Sequence, residues 1–370
     1  MSETSAMAAK RTPLQESQKE TGAVFAELLG VTVVTSYGDS LLEYGAVRGS
    51  AGLIDLSAGG AIEVGGKEGI QFLNGLITNN VKTLEKGKGI QAAFLTGRGK
   101  VRALARILGL GDEFVILTDP QTHEKVFNYI FPFTYAGDFQ VKDVSDGYRT
   151  LSVQGPNALQ VMKEVCFEPV PDLADHEWIE TIIAGYNVIV QKAAHTGELG
   201  YDILTPVDGL ADVWDFLLMK GAFHSIRACG TDALDILRIE AGFPVYGIDI
   251  DETNMMLETG LVEAVSYTKG CYTGQEAVAM ATYRGHVSKK LSGLAVAADN
   301  VPAPKDKISR AGKEIGYITS ATRSPALGAT IALGYVKYGH FEVGNDVEIL
   351  TSEGSVAASI VDLPFYKSAG

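Results

Sequence analysis

Near Val287 this 370-residue chain changes pattern, and the change limits what it can fold into. Downstream, short apolar runs at 291–297, 314–319, 331–336, 346–350 and 356–361 recur at near-regular spacing, with Gly, Pro and Asn between them. Runs so short and so punctuated read as strands of a small β-barrel or curled sheet, with 299–307 as a loop. Upstream, strands and helices mix without a sustained βα alternation, which predicts an α+β region rather than a doubly wound sheet. A chain of this length exceeds one comfortable core, so two or three domains are expected.

In the mixed region, 61–64 reads as a strand, Gly65-Gly66 as a turn and 68–76 as the start of a helix. Two apolar runs, 90–95 and 101–108, flank Thr96-Gly97-Arg98-Gly99-Lys100, a glycine-rich basic connector with hairpin chemistry. A strand at 114–118 and a helix over 121–130 follow. Strand 151–154 leads into Gly155-Pro156, where proline suits the first helical position. Strands at 186–191 and 201–204 surround a turn at 196–200. Thr231 is the candidate cap of a helix over 231–241, which Gly242 and Pro244 stop.

Composition removes several function classes. Hydrophobic residues make up 46% and charged residues 21%, the balance of an ordinary globular protein. No apolar run approaches the ~20 residues of a membrane helix. Residues 1–20 are polar and mixed in charge, which predicts no secretory leader and either a frayed extension or a short surface helix. Cys166, Cys229 and Cys271 are odd in number and far apart, a pattern suited to a reducing cytoplasm. Without CxxC or closely spaced histidine pairs, no structural zinc site is expected. A net charge of −14 argues against broad nonspecific nucleic-acid binding, while the basic clusters at 86–106 and 284–290 leave a local tRNA contact open. Walker A, dinucleotide and nucleophile-elbow motifs are absent.

Three segments carry candidate chemistry. Lys269-Gly270-Cys271-Tyr272-Thr273-Gly274-Gln275-Glu276 sets a thiol near an ammonium that would favour the thiolate, and Thr273 to Glu276 reads as a capping box. The plainer reading is a tight turn with an inert, half-buried cysteine. In Asp235-Ile236-Leu237-Arg238-Ile239-Glu240, Arg238 sits on or beside a buried stripe, and its partner is either Asp235 or a ligand. Glu198, in His195-Thr196-Gly197-Glu198-Leu199-Gly200-Tyr201, is either a solvated turn residue or a carboxylate fork for paired N–H donors.

Together these segments resemble the YgfZ-type folate-binding proteins, relatives of the glycine-cleavage T-protein in the aminomethyltransferase-like superfamily. The octapeptide at 269–276 resembles the YgfZ signature, and the likeness runs from about Tyr44 to the C-terminus. The resemblance implies a tetrahydrofolate ligand, bound through Glu198 at the aminopyrimidine end and Arg238 at the pocket. Tyr201, Lys269 and Gln275 would lie beside it, with Cys271 as the candidate reactive thiol. It also implies a role in iron–sulfur enzyme assembly or maintenance, hence assembly or client proteins as partners, and by analogy a monomer.

The hairpin departs from the transferases of this superfamily. Their paired aspartates would fall on Ala103 and Leu104, and no Asp or Glu occurs between Ala92 and Gly111. That counts against the alternative, a tetrahydrofolate-dependent aminomethyltransferase or demethylase. A third reading is a binding module without folate, in which Arg238 and Glu198 serve packing. The architecture implied is a three-domain cloverleaf with two α+β domains and a C-terminal β-barrel. Its parts would be a discontinuous folate-binding domain (1–56 plus 145–286), an inserted domain (57–144) and the barrel (287–370).

Overall fold

The computed structural model describes residues 13–368. The expectation for residues 1–12 lies outside them; the short helix Gln15–Glu20 falls within the N-terminal stretch. Three larger sheets organise the described residues, beside a two-stranded hairpin of Val24–Leu28 and Val31–Ser36. The first has six strands in the order Trp178–Ile183, Tyr186–Lys192, Gly200–Pro206, Tyr148–Gln154, Ala51–Asp55 and Ile226–Cys229. Neighbours are antiparallel except the last pair, which is parallel. Its apolar face covers the helices Ala158–Val165 and Leu210–Gly221, with Trp214 fully buried between them.

The second sheet is inserted between strands of the first. It runs Gly89–Leu95, Val101–Gly109, Phe114–Thr118, Gly60–Gly65 and Gln140–Asp143, antiparallel throughout. Ala103, Ala105 and Ile107 point into a core closed by the helices Gly69–Leu76 and His123–Ile130. Leu104 faces the other way, against Tyr246, Ile250, Met256 and Tyr272 from the loop-rich 246–278 stretch. Period-two alternation thus lets one strand serve two cores.

The third sheet is a closed six-stranded antiparallel barrel. Lys289–Val296, Lys313–Ser324, Ala329–Lys337, Asp346–Thr351 and Gly354–Val361 match the expected strands. Lys307–Arg310 completes it from the end of the segment expected to be a loop. The α+β reading and the C-terminal barrel both hold.

Helix Thr231–Glu240 joins the barrel to the rest. Arg238 on it is 5% exposed and donates to Asp235 (2.6 Å), Asp249 (2.7 Å), the Phe243 carbonyl (3.2 Å) and the Ser320 hydroxyl (2.8 Å). Thr319 and Ser320 on the barrel donate in turn to Asp249. A buried guanidinium so enclosed depends on its carboxylate. Asp249→Ala is therefore expected to lower unfolding free energy by about 3–5 kcal/mol, measured by urea denaturation at neutral pH with circular dichroism. A loss under about 1 kcal/mol, the range of exposed pairs, would contradict this account of the junction.

Candidate functional site

The Glu198 turn is built by its neighbours. Gly197 has φ +79°, and a Cβ there would lie 3.1 Å from Cβ of Ala241, so the turn sits tightly on the end of helix Thr231–Glu240. Gln154, buried in the adjacent strand, accepts from the His195 amide (2.9 Å) and the Thr196 hydroxyl (3.3 Å). The turn is thereby held before any ligand arrives.

Glu198 is 5% exposed and faces an arginine that sequence reasoning did not single out. Helix Ser40–Gly49 is capped by Asp39, which accepts from the amides of Leu41 and Leu42. One turn apart on it stand Tyr44 and Arg48. Arg48 donates to Glu198 Oε1 (2.7 Å), to Glu240 Oε2 (2.5 Å) and to the Thr196 carbonyl (3.1 Å). Its guanidinium lies 4.0 Å from the ring centroid of Tyr366. Glu240 is fully buried and also accepts from Tyr44 and Ser324. Glu198 Oε2, by contrast, has no hydrogen-bond partner among the described residues. One cation thus faces two buried carboxylates, and one carboxylate oxygen stays available.

A second charged group supports the same turn from below. Arg106 on the inserted sheet pairs with Asp202, and His195 Nε2 lies 3.0 Å from both Asp202 oxygens. Burial alone would raise the Asp202 pKa, but Arg106 and His195 outweigh it and hold the carboxyl below the usual range.

The octapeptide adopts a different local structure from the one expected. Its helix is Gln275–Arg284 with Gly274 as N-cap, and no side chain caps it. Gly274 has φ +85°, and a Cβ there would meet the Thr96 carbonyl oxygen at 2.7 Å. The capping box at Thr273 is therefore replaced by a left-handed glycine packed on the hairpin turn. Gln275 is half-buried beside that turn. Lys269 does not serve the thiol: its ammonium donates to the carbonyls of Asn74, Ile77 and Asn79, each at 2.7 Å, at the end of helix Gly69–Leu76. Burial, with Lys82 adding to it, pulls the Lys269 pKa down to about 8. Cys271 is exposed, whereas burial pushes the thiols of Cys166, to about 12, and Cys229 upward.

The expected residues divide accordingly. Glu198 and Arg238 both lie at the C-terminal end of helix Thr231–Glu240, but it is Arg48 that holds Glu198, while Arg238 ties helix to barrel. Tyr201 is 2% exposed within the core of the six-stranded sheet and presents no surface to a ligand. Among the described residues, no hydrogen bond joins Cys271 to Glu198 or Arg238. Ala103 and Leu104, where the resemblance would place aspartates, are fully buried and 8% exposed, each within an apolar cluster.

Comparison with known proteins agrees with this three-domain arrangement. A family model described as the GCVT N-terminal domain matches residues 14–269. Another, described as the glycine cleavage T-protein C-terminal barrel domain, matches 289–367. The aminomethyltransferase of Halothermothrix orenii is 31% identical over 357 residues, covering 96% of this chain and 99% of the relative. That of Thermotoga sp. strain RQ2 is 30% identical over 362 residues, covering 97% and 98%. The crystal structure of glycine cleavage system aminomethyltransferase T from Bartonella henselae matches with a TM-score of 0.90, at 24% identity and over 97% of this chain and 98% of that one. It shows that the fold is T-protein-like. The chain belongs to the glycine cleavage T-protein family. Among the described residues, no helix is long and apolar enough to cross a membrane.

The Asp202 cluster has a pH signature. A carboxyl whose folded pKa lies below its unfolded value stabilises the fold above the ordinary carboxylate range and loses that contribution as pH falls through the folded value. The urea midpoint should therefore fall from pH 6 toward pH 3. Asp202→Asn should be less stable at pH 6, because Arg106 loses its partner, and should show a shallower acid slope. An unchanged slope would remove Asp202 from the acid response.

Proposed function

We propose that this protein binds a tetrahydrofolate derivative, with Glu198 accepting N–H donors from the aminopyrimidine edge of the pterin. The observation that supports this most is the Glu198 carboxylate: buried, braced by Arg48 through one oxygen and without a partner on the other. That acceptor fits the group, because a carboxylate held in place can accept parallel N–H bonds from an aminopyrimidine edge. Arg48 holds the carboxylate in place through one of its oxygens. Bound folate would supply the nitrogen that carries a one-carbon unit, while this chain's residues bind and orient the ring.

Two uses of that folate remain distinct. Aminomethyl transfer is the reading the relatives favour, since they are aminomethyltransferases and the likeness spans nearly the whole chain. A specific observation favours the other, a YgfZ-type folate-binding protein supporting assembly or maintenance of iron–sulfur enzymes. The strand Val101–Gly109 offers apolar, packed side chains where the transfer acid would stand. In that reading the exposed Cys271 is the candidate thiol, close in sequence to Gln275 and Lys269.

Calorimetric titration with tetrahydrofolate tests the shared conclusion. Wild type should bind, and Glu198→Gln should bind about 10–100-fold more weakly, the loss expected for charge-assisted hydrogen bonds. Equal affinity in both would remove Glu198 from the site, and no binding by either would remove the ligand. An assay with an aminomethyl donor then separates the two uses. One-carbon folate formed over many turnovers supports transfer, and folate binding without turnover supports the maintenance role.

A further inference from the structure

Asp119 directly follows the strand Phe114–Thr118. Thr118 pairs with Ala105, so the next residues outward on the two strands are Asp119 and Leu104. An aspartate just before a helix commonly caps it through the side chain. Here the backbone carbonyl of Asp119 takes that role instead. It accepts from the amides of Thr122 and His123, each at 3.0 Å, and from the Thr122 hydroxyl at 3.2 Å. The carboxylate has no hydrogen-bond or ion-pair partner among the described residues.

Asp119 is exposed, yet enough protein surrounds its carboxyl that burial raises the pKa, while the charges of Arg106 and His195 pull it down. A side chain that water reaches and protein encloses lines an internal opening rather than the outer surface. Arg106 comes from the inserted sheet and His195 from the start of the Glu198 turn, so Asp119 stands where the two meet. His195 and Glu198 are three residues apart, which keeps their backbones within about 11 Å.

His195 offers a further acceptor. Its Nε2 lies 3.0 Å from both oxygens of Asp202. A carboxylate partner fixes the hydrogen on Nε2, which leaves Nδ1 of the neutral ring as a lone pair. Nδ1 has no hydrogen-bond partner among the described residues. With Glu198 Oε2, three unpartnered acceptors thus gather around one turn. The nearby cations Arg48, Arg106 and Arg238 are each engaged by a carboxylate.

Acceptors without partners favour a ligand rich in N–H groups. A tetrahydropteridine carries hydrogens on ring nitrogens N5 and N8, whereas the fully oxidised ring presents both as lone pairs. We infer that Asp119 and His195 make this site select the reduced over the oxidised pteridine ring. This deepens the folate reading and rests on it.

Tetrahydrofolate and folic acid are titrated by calorimetry into wild type, Asp119→Asn and His195→Phe, with circular dichroism confirming that each variant is folded. The buffer is anaerobic and at pH 8, above the ordinary imidazole range. Wild type should bind the reduced form at least about tenfold more tightly, because a site that hydrogen-bonds N–H groups rejects an analogue lacking them. The amide introduced by Asp119→Asn can donate. That variant should therefore bind folic acid more tightly than wild type does, narrowing the preference to below about threefold. A gain for the oxidised ring is not a result that a damaged fold would give. His195→Phe should narrow the preference through weaker binding of tetrahydrofolate alone. Equal affinity for both rings in wild type, or the wild-type preference in both variants, overturns the inference and leaves folate binding standing. Binding of neither ring by wild type removes the folate reading, and the inference with it.

Discussion

The Arg48 guanidinium carries the charge balance of the buried centre. Glu198 and Glu240 converge on it from different elements, and without it two carboxylates would face each other away from water. Such groups would repel each other. The cation also fixes position, because a planar fork holds two carboxylates at set angles where an ammonium would hold a point. Helix Ser40–Gly49 delivers Arg48, the turn after the buried Gln154 delivers Glu198, and helix Thr231–Glu240 delivers Glu240. Ser324 of the barrel and Tyr366 beyond it close the cluster from the far side. The conformation of Glu198 thus depends on the mixed region and the barrel together.

Local patterns in the sequence revealed what depends on local chemistry. The strands of the barrel, the basic hairpin and the glycine turn around Glu198 were legible from alternation and turn residues. The partnership of Arg48 was not, because its acceptors lie 150 and 192 residues away along the chain. Tyr44 and Arg48 at one-turn spacing were the only local sign. Arg238 was half legible: the Asp235 pair is intrahelical, whereas Asp249 and Ser320 reach it only through the fold. For Tyr201 the strand phase was informative. Tyr201 and Ile203 share the core face, and Asp202 between them meets Arg106 on the other. The capping box failed because Gly274, in a left-handed conformation, took the position that sets where a helix starts.

At the hairpin, Ala103 and Leu104 leave no open gap, since both side chains are packed within apolar clusters on opposite faces of the strand. The adjacent Arg102 is cationic, stacked on the ring of Tyr129 and without a hydrogen-bond acceptor among the described residues. The charge on this strand is therefore cationic, and the strand belongs to a different sheet from the turn that carries Glu198.

The most direct measurement is a crystal structure of the protein soaked with tetrahydrofolate. The aminopyrimidine edge should lie within hydrogen-bond distance of Glu198, with Arg48 still bridging Glu198 to Glu240. A pterin bound elsewhere, with Glu198 touching only Arg48, would contradict this arrangement.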